Sequence, residues 1–196
     1  MDIYQSGEYI DKNPTLHDED ASFKVKNIIN VFESSISLKQ KKKIKILDIG
    51  GGNGSVGFLF SQYLKEKRHE FEFHAIDMSE KMLKMQKKCN PFLKQTFFGD
   101  IKTLNDKYDL VLLIDVIEHI EDYKIFTNNL KEISSHAIYN IPIEKNLFDL
   151  FRNFYFRGKY YENQFLTLGH VNFFSFKSAV FYLNSNFKLL NYKFVP

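Results

Sequence analysis

The feature that most constrains this chain is an apolar run that stops abruptly in glycine. Ile44-Lys45-Ile46-Leu47-Asp48-Ile49 is followed at once by Gly50-Gly51-Gly52-Asn53-Gly54. The run has the length and β-branched content of a buried strand. Glycine after it lets the backbone turn tightly and approach a neighbour closely. A helix is expected from Ser55, with Val56, Phe60, Tyr63 and Leu64 on one face. The alternation then repeats. Strands are expected at Phe71 to Ile76, Thr96 to Phe98, Leu110 to Ile114 and Ala137 to Ile141, the last ended by Pro142; helices are expected at Ser79 to Lys88 and Glu121 to Ile133. Strand, helix, strand at this spacing predicts an α/β fold, a doubly wound, mostly parallel sheet with right-handed crossovers.

The outer parts of the chain divide around that core. Residues 1–40 read as an N-terminal cap or lid, with a turn at Asn13-Pro14-Thr15, a helix start at Asp18-Glu19-Asp20 and an amphipathic stretch from Ala21 to about Leu38. Residues 41–142 form the α/β core. Residues 143–196 form a variable substrate lid, with a loosened pattern over about 145–175 that assigns no element, then a helix from Lys177 to Leu183 and a strand from Lys188 to Phe194. All of it fits one globular domain, because 196 residues is the size of about one.

Composition excludes several classes. With 44% hydrophobic residues the chain is not disordered, and a net charge of +3 is too small for a dedicated nucleic-acid binder. The lysine-rich run from Lys39 to Lys45 reads as a solvated linker. A single cysteine, Cys89, and the absence of a leader pattern point to the cytoplasm, and no apolar run is long enough to span a membrane. The 21 Phe and 11 Tyr crowd towards the C-terminal third, either as ordinary core or as an aromatic lid.

In a sheet of this kind the ligand sits beyond the carboxyl ends of the strands. Four acids stand there: Asp48 in the first strand, Asp77 ending the second, Asp100 after the third and Asp115 after the fourth. Gly52-x-Gly54-x-x-Gly57 formally satisfies the dinucleotide fingerprint of a nicotinamide-dependent oxidoreductase. A ring of carboxylates repels a pyrophosphate, however, and suits a ligand carrying a sulfonium, an ammonium, a ribose and an adenine. A non-catalytic module that binds the cofactor or a partner protein is the other alternative.

These residues resemble, motif by motif, the class I S-adenosylmethionine-dependent methyltransferases. The resemblance is carried by Ile46 to Gly54, Ile76-Asp77-Met78-Ser79, Gly99-Asp100 and Asp109 to Ile120. Ile114-Asp115-Val116-Ile117-Glu118-His119-Ile120 looks like the small-molecule branch that includes the ubiquinone-biosynthesis O-methyltransferases. The segments Asn13 to Asp20 and Gly169-His170-Val171-Asn172-Phe173-Phe174 look like those flanking the core in bacterial members, often of surface-glycan or other specialised pathways. The resemblance spans roughly residues 13–194. It implies a Rossmann-like methyltransferase fold with S-adenosyl-L-methionine as cofactor and S-adenosyl-L-homocysteine as product. Gly50, Gly52 and Gly54 would pack against the methionine part, with Asp48 holding its ammonium. Asp77 would bind the ribose hydroxyls, Met78 and Ile101 would sandwich the adenine, and Asp100 would accept from its amine. Asp115 would lie near the methionine amine and sulfonium. The implied acceptor is a small hydroxylated molecule, possible examples being a sugar or a phosphorylated surface-glycan precursor. A nucleic-acid acceptor is not expected, because Asp115-Val116-Ile117-Glu118 replaces an Asn/Asp-Pro-Pro-aromatic motif.

A hydroxyl acceptor needs a base near neutral pH, a task suited to histidine. His119 is the first candidate and His170 the second, with Glu118 either orienting His119 or standing as a solvated helix-start charge. His17 is a further candidate; His69 and His136 read as structural or solvated, and His74, inside the second strand, as a packed core residue. Glu118, Glu121 and Asp122 have oxygen ligands for Mg²⁺, but this pattern is common at helix starts and no metal is expected. Arg152, Arg157 and Lys159 either face solvent or hold an anionic acceptor, and Tyr4, Tyr9 and Phe23 are candidate cover for the cofactor. Where the resemblance implies a final hairpin, the sequence shows one closing strand. Its free edge is therefore expected to be completed beyond Pro196, or covered by the N-terminal segment or another subunit, in a monomer or homodimer.

Overall fold

In the computed structural model, which describes residues 18–35, 38 and 40–194, both faces of the sheet are covered by helices. Helix α1 (Ala21–Glu33) precedes β1 (Lys43–Ile49), α2 (Ser55–Glu66), β2 (Glu70–Asp77), α3 (Glu80–Cys89) and β3 (Leu93–Phe98). Then come β4 (Leu110–Ile114), α4 (Tyr123–Ile133), β5 (Ala137–Asn140), α5 (Leu147–Tyr155), α6 (Lys159–Leu168) and α7 (Phe176–Asn186). The order across the sheet is β3-β2-β1-β4-β5, and every pairing is parallel. The reversal of order between β1 and β4 opens the crevice that such sheets use for ligands.

The strand residues divide by alternation. In β4, Leu110 and Leu112 join Phe32 and Phe60 on one face, while Val111 and Leu113 join Leu130 and Tyr182 on the other. Because both faces are buried, the strand reads as a continuous apolar run. The helix starts are set by short polar caps. Asp122 accepts from the Ile125 amide at 3.0 Å, so α4 begins at Tyr123, two residues after the expected Glu121. His74 is a core residue as expected, with Nδ1 3.2 Å from the Tyr108 hydroxyl and Nε2 3.0 Å from Glu72 Oε1.

At the C-terminal end one open stretch is resolved and one expectation fails. Residues 145–175, where the sequence pattern assigns no element, hold α5 and α6 and the segment that leads from them to α7. The strand from Lys188 to Phe194 does not form, and among the described residues β5 is the edge of the sheet. This segment is held by side chains instead. Asn191 Nδ2 donates to Ser34 Oγ at 3.1 Å, and Lys193 Nζ donates to Asn27 Oδ1 at 3.0 Å, both against α1 and the turn after it. Phe176 meets the rings of Tyr192 and Phe194. Apolar alternation alone does not make a strand where these contacts, rather than a ladder, hold the backbone. His17, Tyr4, Tyr9, the Asn13-Pro14-Thr15 turn and Pro196 lie outside the described residues.

Candidate active site

The glycine loop is shaped from below by Asp48. That carboxyl is 2% exposed, and a Cβ on Gly51 would fall 2.4 Å from Asp48 Oδ2. Gly57 has the same constraint at 2.9 Å, so Asp48, Gly51 and Gly57 form one close-packed unit. Burial, with the Asp77 charge adding, pushes the Asp48 carboxyl up to about 7. Gly50, Gly52 and Gly54 all have positive φ, but their surroundings differ. A Cβ on Gly54 would lie 2.8 Å from the Gln86 backbone, so this glycine serves the approach of α2 to α3. Around Gly52 nothing lies within 4 Å of such an atom. The loop is therefore open to a ligand at Gly52 and closed by protein at Gly54. Gly54→Ala is expected to lower stability by about 2 kcal/mol, through left-handed strain and overpacking. An unchanged denaturation midpoint would contradict that reading.

Asp77 ends β2 with its carboxyl oriented from both sides. The Ser79 amide donates to Oδ1 at 2.8 Å and the Gln86 side-chain amide donates to Oδ2 at 3.3 Å. Burial raises Asp77 to about 6 despite these bonds. Its neighbour across the sheet is Phe98, and Phe98 and Met78 are exposed apolar side chains here, at 58% and 40%. Asp100 caps the turn Ile101–Thr103 through the Lys102 amide at 2.9 Å, and its other oxygen is 3.8 Å from Lys102 Nζ. Ile101, expected against an adenine, is instead 3% exposed and packs in the core with Ile49 and Ile76. Phe98 was missed because an aromatic at a strand end reads as sheet core.

At the end of β4 the chain takes positive φ at Asp115, a conformation Asp tolerates better than most residues. Its carboxylate is gripped by Lys24 of α1, Nζ to Oδ2 2.7 Å, and by the Asn140 side-chain amide. Burial works against the charge on Lys24, but Asp115 and Asp20 together raise its pKa. Lys24 was not singled out from sequence, since a lysine four residues after Asp20 reads as an ordinary helix pair.

Next to Asp115 the structure assembles a histidine pair. Val171 and Asn172 donate their amides to the Glu118 carbonyl, each at 2.9 Å, docking the 169–174 segment on the turn Ile117–His119. The His119 and His170 rings are thereby brought to 4.8 Å, edge to face. His119 Nδ1 donates to the Gly169 carbonyl at 3.2 Å, and His170 Nδ1 donates to Glu144 Oε1 at 2.9 Å. Both acceptors hold the proton on Nδ1, which directs each Nε2 lone pair elsewhere. His119 Nε2 is 3.9 Å from Glu118 Oε1. Glu118 is not the solvated charge that was one alternative: it is fully buried, and among the described residues neither carboxyl oxygen has a hydrogen-bond partner. Burial, then Asp115 and Glu144, push its pKa well above the carboxylate range. Glu144, buried at 8%, is a site residue that sequence reasoning missed, because nothing in its neighbourhood marks it.

Glu118, His119 and His170 place one ligand atom each within 4.8 Å of one another, so these, not Glu121 and Asp122, have the donors and spacing to hold a divalent metal. Among the described residues Asp122 is used as a helix cap. Asp115, Glu118, His119 and His170 all line a groove of about 1780 Å³ that runs along β5 between α1 and α7. Phe23 lines it as well, whereas Arg152, Arg157 and Lys159 do not.

Among solved structures, a magnesium protoporphyrin IX methyltransferase from Synechocystis PCC 6803, crystallised with bound SAH, has a TM-score of 0.53 and 18% identity, over 75% of this chain and 65% of that one. The plantazolicin methyltransferase BpumL scores 0.48 with 21% identity, over 66% and 48%. A curated relative, (S)-coclaurine N-methyltransferase of Thalictrum flavum subsp. glaucum, is 26% identical over 89 residues, which are 44% of this chain and 25% of the relative. The chain thus spans a quarter of that relative and 65% or less of these structures. The profile of a family described as methyltransferase domain matches residues 26–178, well over half of the sequence. The chain therefore belongs to the methyltransferase-domain family of the class I S-adenosylmethionine-dependent enzymes.

Proposed function

We propose that this chain binds S-adenosylmethionine over the ends of β1, β2 and β3, and methylates a small hydroxylated acceptor held over β4 and β5. The observation that carries the reading is the position of Asp115. It stands between the open glycine loop on one side and a groove lined by Glu118, His119 and His170 on the other. The residues present fit the cofactor. Gly52 is bordered by open space, with no atom within 4 Å of where a Cβ would stand, and Asp77 is oriented at the strand end with lone pairs to accept from two hydroxyls. Met78 and Phe98 offer apolar surface beside it.

When bound, the cofactor supplies an electrophilic methyl group on a sulfonium that leaves as a neutral thioether. The protein's share is alignment, exclusion of water and removal of the acceptor's proton. His119 or His170 takes that proton at Nε2, since Nδ1 of each is already committed as a donor. An imidazolium at His170 is stabilised by Glu144 at 2.9 Å, while Glu118, whose carboxyl burial favours as the neutral acid, stands 3.9 Å from His119 Nε2. A base of this kind suits oxygen in a sugar or a surface-glycan precursor. The relatives' names include an N-methyltransferase, so an amine acceptor is the competing reading.

Calorimetry with S-adenosylmethionine, followed by mass analysis of methylated products from a panel of sugars, phenols and amines, tests the proposal. No binding, or binding with methyl transfer to amines alone, refutes it.

Stability should carry the mark of the buried acids. Asp48, Asp77 and Glu118 hold protons more tightly folded than unfolded, so their contribution is complete below about pH 4 and is lost as pH rises. For Asp77 and Asp48 the loss runs from about pH 4 and is complete by about 6 and 7. His74, whose pKa burial lowers, acts in the opposite sense. The measurement is therefore a difference: Asp48→Asn should flatten the fall in melting temperature between about pH 4 and pH 7. Parallel curves for the two proteins would show that Asp48 stays ionised throughout.

A further inference from the structure

Helix α5 is amphipathic but packed inside out. Its polar side faces the protein: Asp149 is 6% exposed and tied to Asn146, and Asn153 Oδ1 accepts from the Tyr161 amide at 3.5 Å. The apolar side faces outward. Leu147, Phe148, Phe151, Phe154 and Tyr155 fall at the spacing of one helical stripe and are 84%, 81%, 69%, 82% and 73% exposed. Soluble domains rarely leave so large a contiguous apolar patch uncovered, and such a patch marks a surface of association.

The charges around the stripe select the occupant. Over the hairpin the exposed charged side chains are Lys145, Arg152, Arg157 and Lys159 against one exposed acid, Glu162, while Asp149 is buried and paired with Arg152 at 3.2 Å. A second copy docking by a two-fold axis would set these cations against themselves. An aromatic stripe fringed by lysine and arginine is the pattern of a helix lying in the interface of an anionic bilayer. We infer that the α5–α6 hairpin seats this chain on an anionic lipid surface. The hairpin runs directly into Gly169 and His170, and Leu147 and Phe148 line the groove, so the groove opens at that surface. This goes beyond the expectation of no membrane contact. That expectation concerned spanning segments, and among the described residues no helix is long and apolar enough to cross a membrane. The inference stands apart from the reaction proposed above.

The test is co-sedimentation of the full chain with phosphatidylcholine vesicles, with and without phosphatidylglycerol. The expected result is binding to the anionic vesicles that weakens with salt. Phe151→Ser/Phe154→Ser/Tyr155→Ser and Arg157→Glu/Lys159→Glu should each lose at least tenfold in vesicle affinity, since each surface cation contributes roughly fivefold. Both variants should keep the wild-type melting temperature and S-adenosylmethionine affinity, because the altered side chains are exposed. Protein left in the supernatant with anionic vesicles overturns the inference. So does equal binding to phosphatidylcholine alone, or undiminished binding by either variant. A dimer that the serine variant dissociates, without vesicle binding, assigns the stripe to a second copy instead.

Discussion

His119→Ala is expected to leave S-adenosylmethionine affinity intact while turnover falls by about 10²–10⁴, the usual contribution of a positioned general base. His119 lies in a buried group with Glu118 and His170, on the groove side of Asp115, and so is separated from the loop that the cofactor would occupy. His170→Ala distinguishes the two histidines. If His170 takes the proton, Glu144→Ala should lower turnover with it, because Glu144 Oε1 holds the His170 tautomer at 2.9 Å. If His119 takes it, Glu144→Ala should have a much smaller effect. Single-turnover rates on an identified acceptor settle the assignment. Full rates in both alanine variants would remove the pair from the chemistry. Sensitivity of the wild-type rate to chelators would show that the trio acts through a metal.

Asp77→Ala is expected to weaken S-adenosylmethionine binding by about 2–3 kcal/mol, roughly 30–150-fold, the value of hydrogen bonds from two hydroxyls to a charged acceptor. The carboxyl is held in place by the Ser79 amide and the Gln86 side chain, so its removal takes away an oriented acceptor. Because burial raises Asp77 to about 6, the same bonds should weaken in the wild type as pH falls through that value, and the alanine variant should lack this dependence. Calorimetry at several pH values reads both effects. Equal affinities for the two proteins would show that the cofactor does not lie against β2.

The sequence reading placed correctly the residues that stand at the end of a strand. An apolar run determines where a strand stops, and the next residue is then at the mouth of the crevice, as Asp77, Asp100 and Asp115 are. It was less accurate for Ile101. The family resemblance implied an adenine contact there, but the turn Ile101–Thr103 directs the side chain inward to Ile49 and Ile76. Lys188 to Phe194 alternates like a strand, yet its fate depends on what lies beside it. In the fold its side chains reach Ser34 and Asn27 of the N-terminal region.

By itself, then, the sequence determined the parallel α/β core, the glycine turn and the acids after successive strands. These follow from local periodicity and from the short covalent distance between a strand and the loop it enters. Only the tertiary structure decided the rest of the site. His119 and His170 are 51 positions apart, Lys24 and Asp115 are 91 apart, and Glu144 reaches His170 across two helices. Nor does composition tell which side of α5 turns outward: the stripe reads as core until Asp149 and Asn153 are seen facing the protein. Contacts between distant residues depend on which surfaces meet once every element has packed, and no local pattern in the chain encodes that choice.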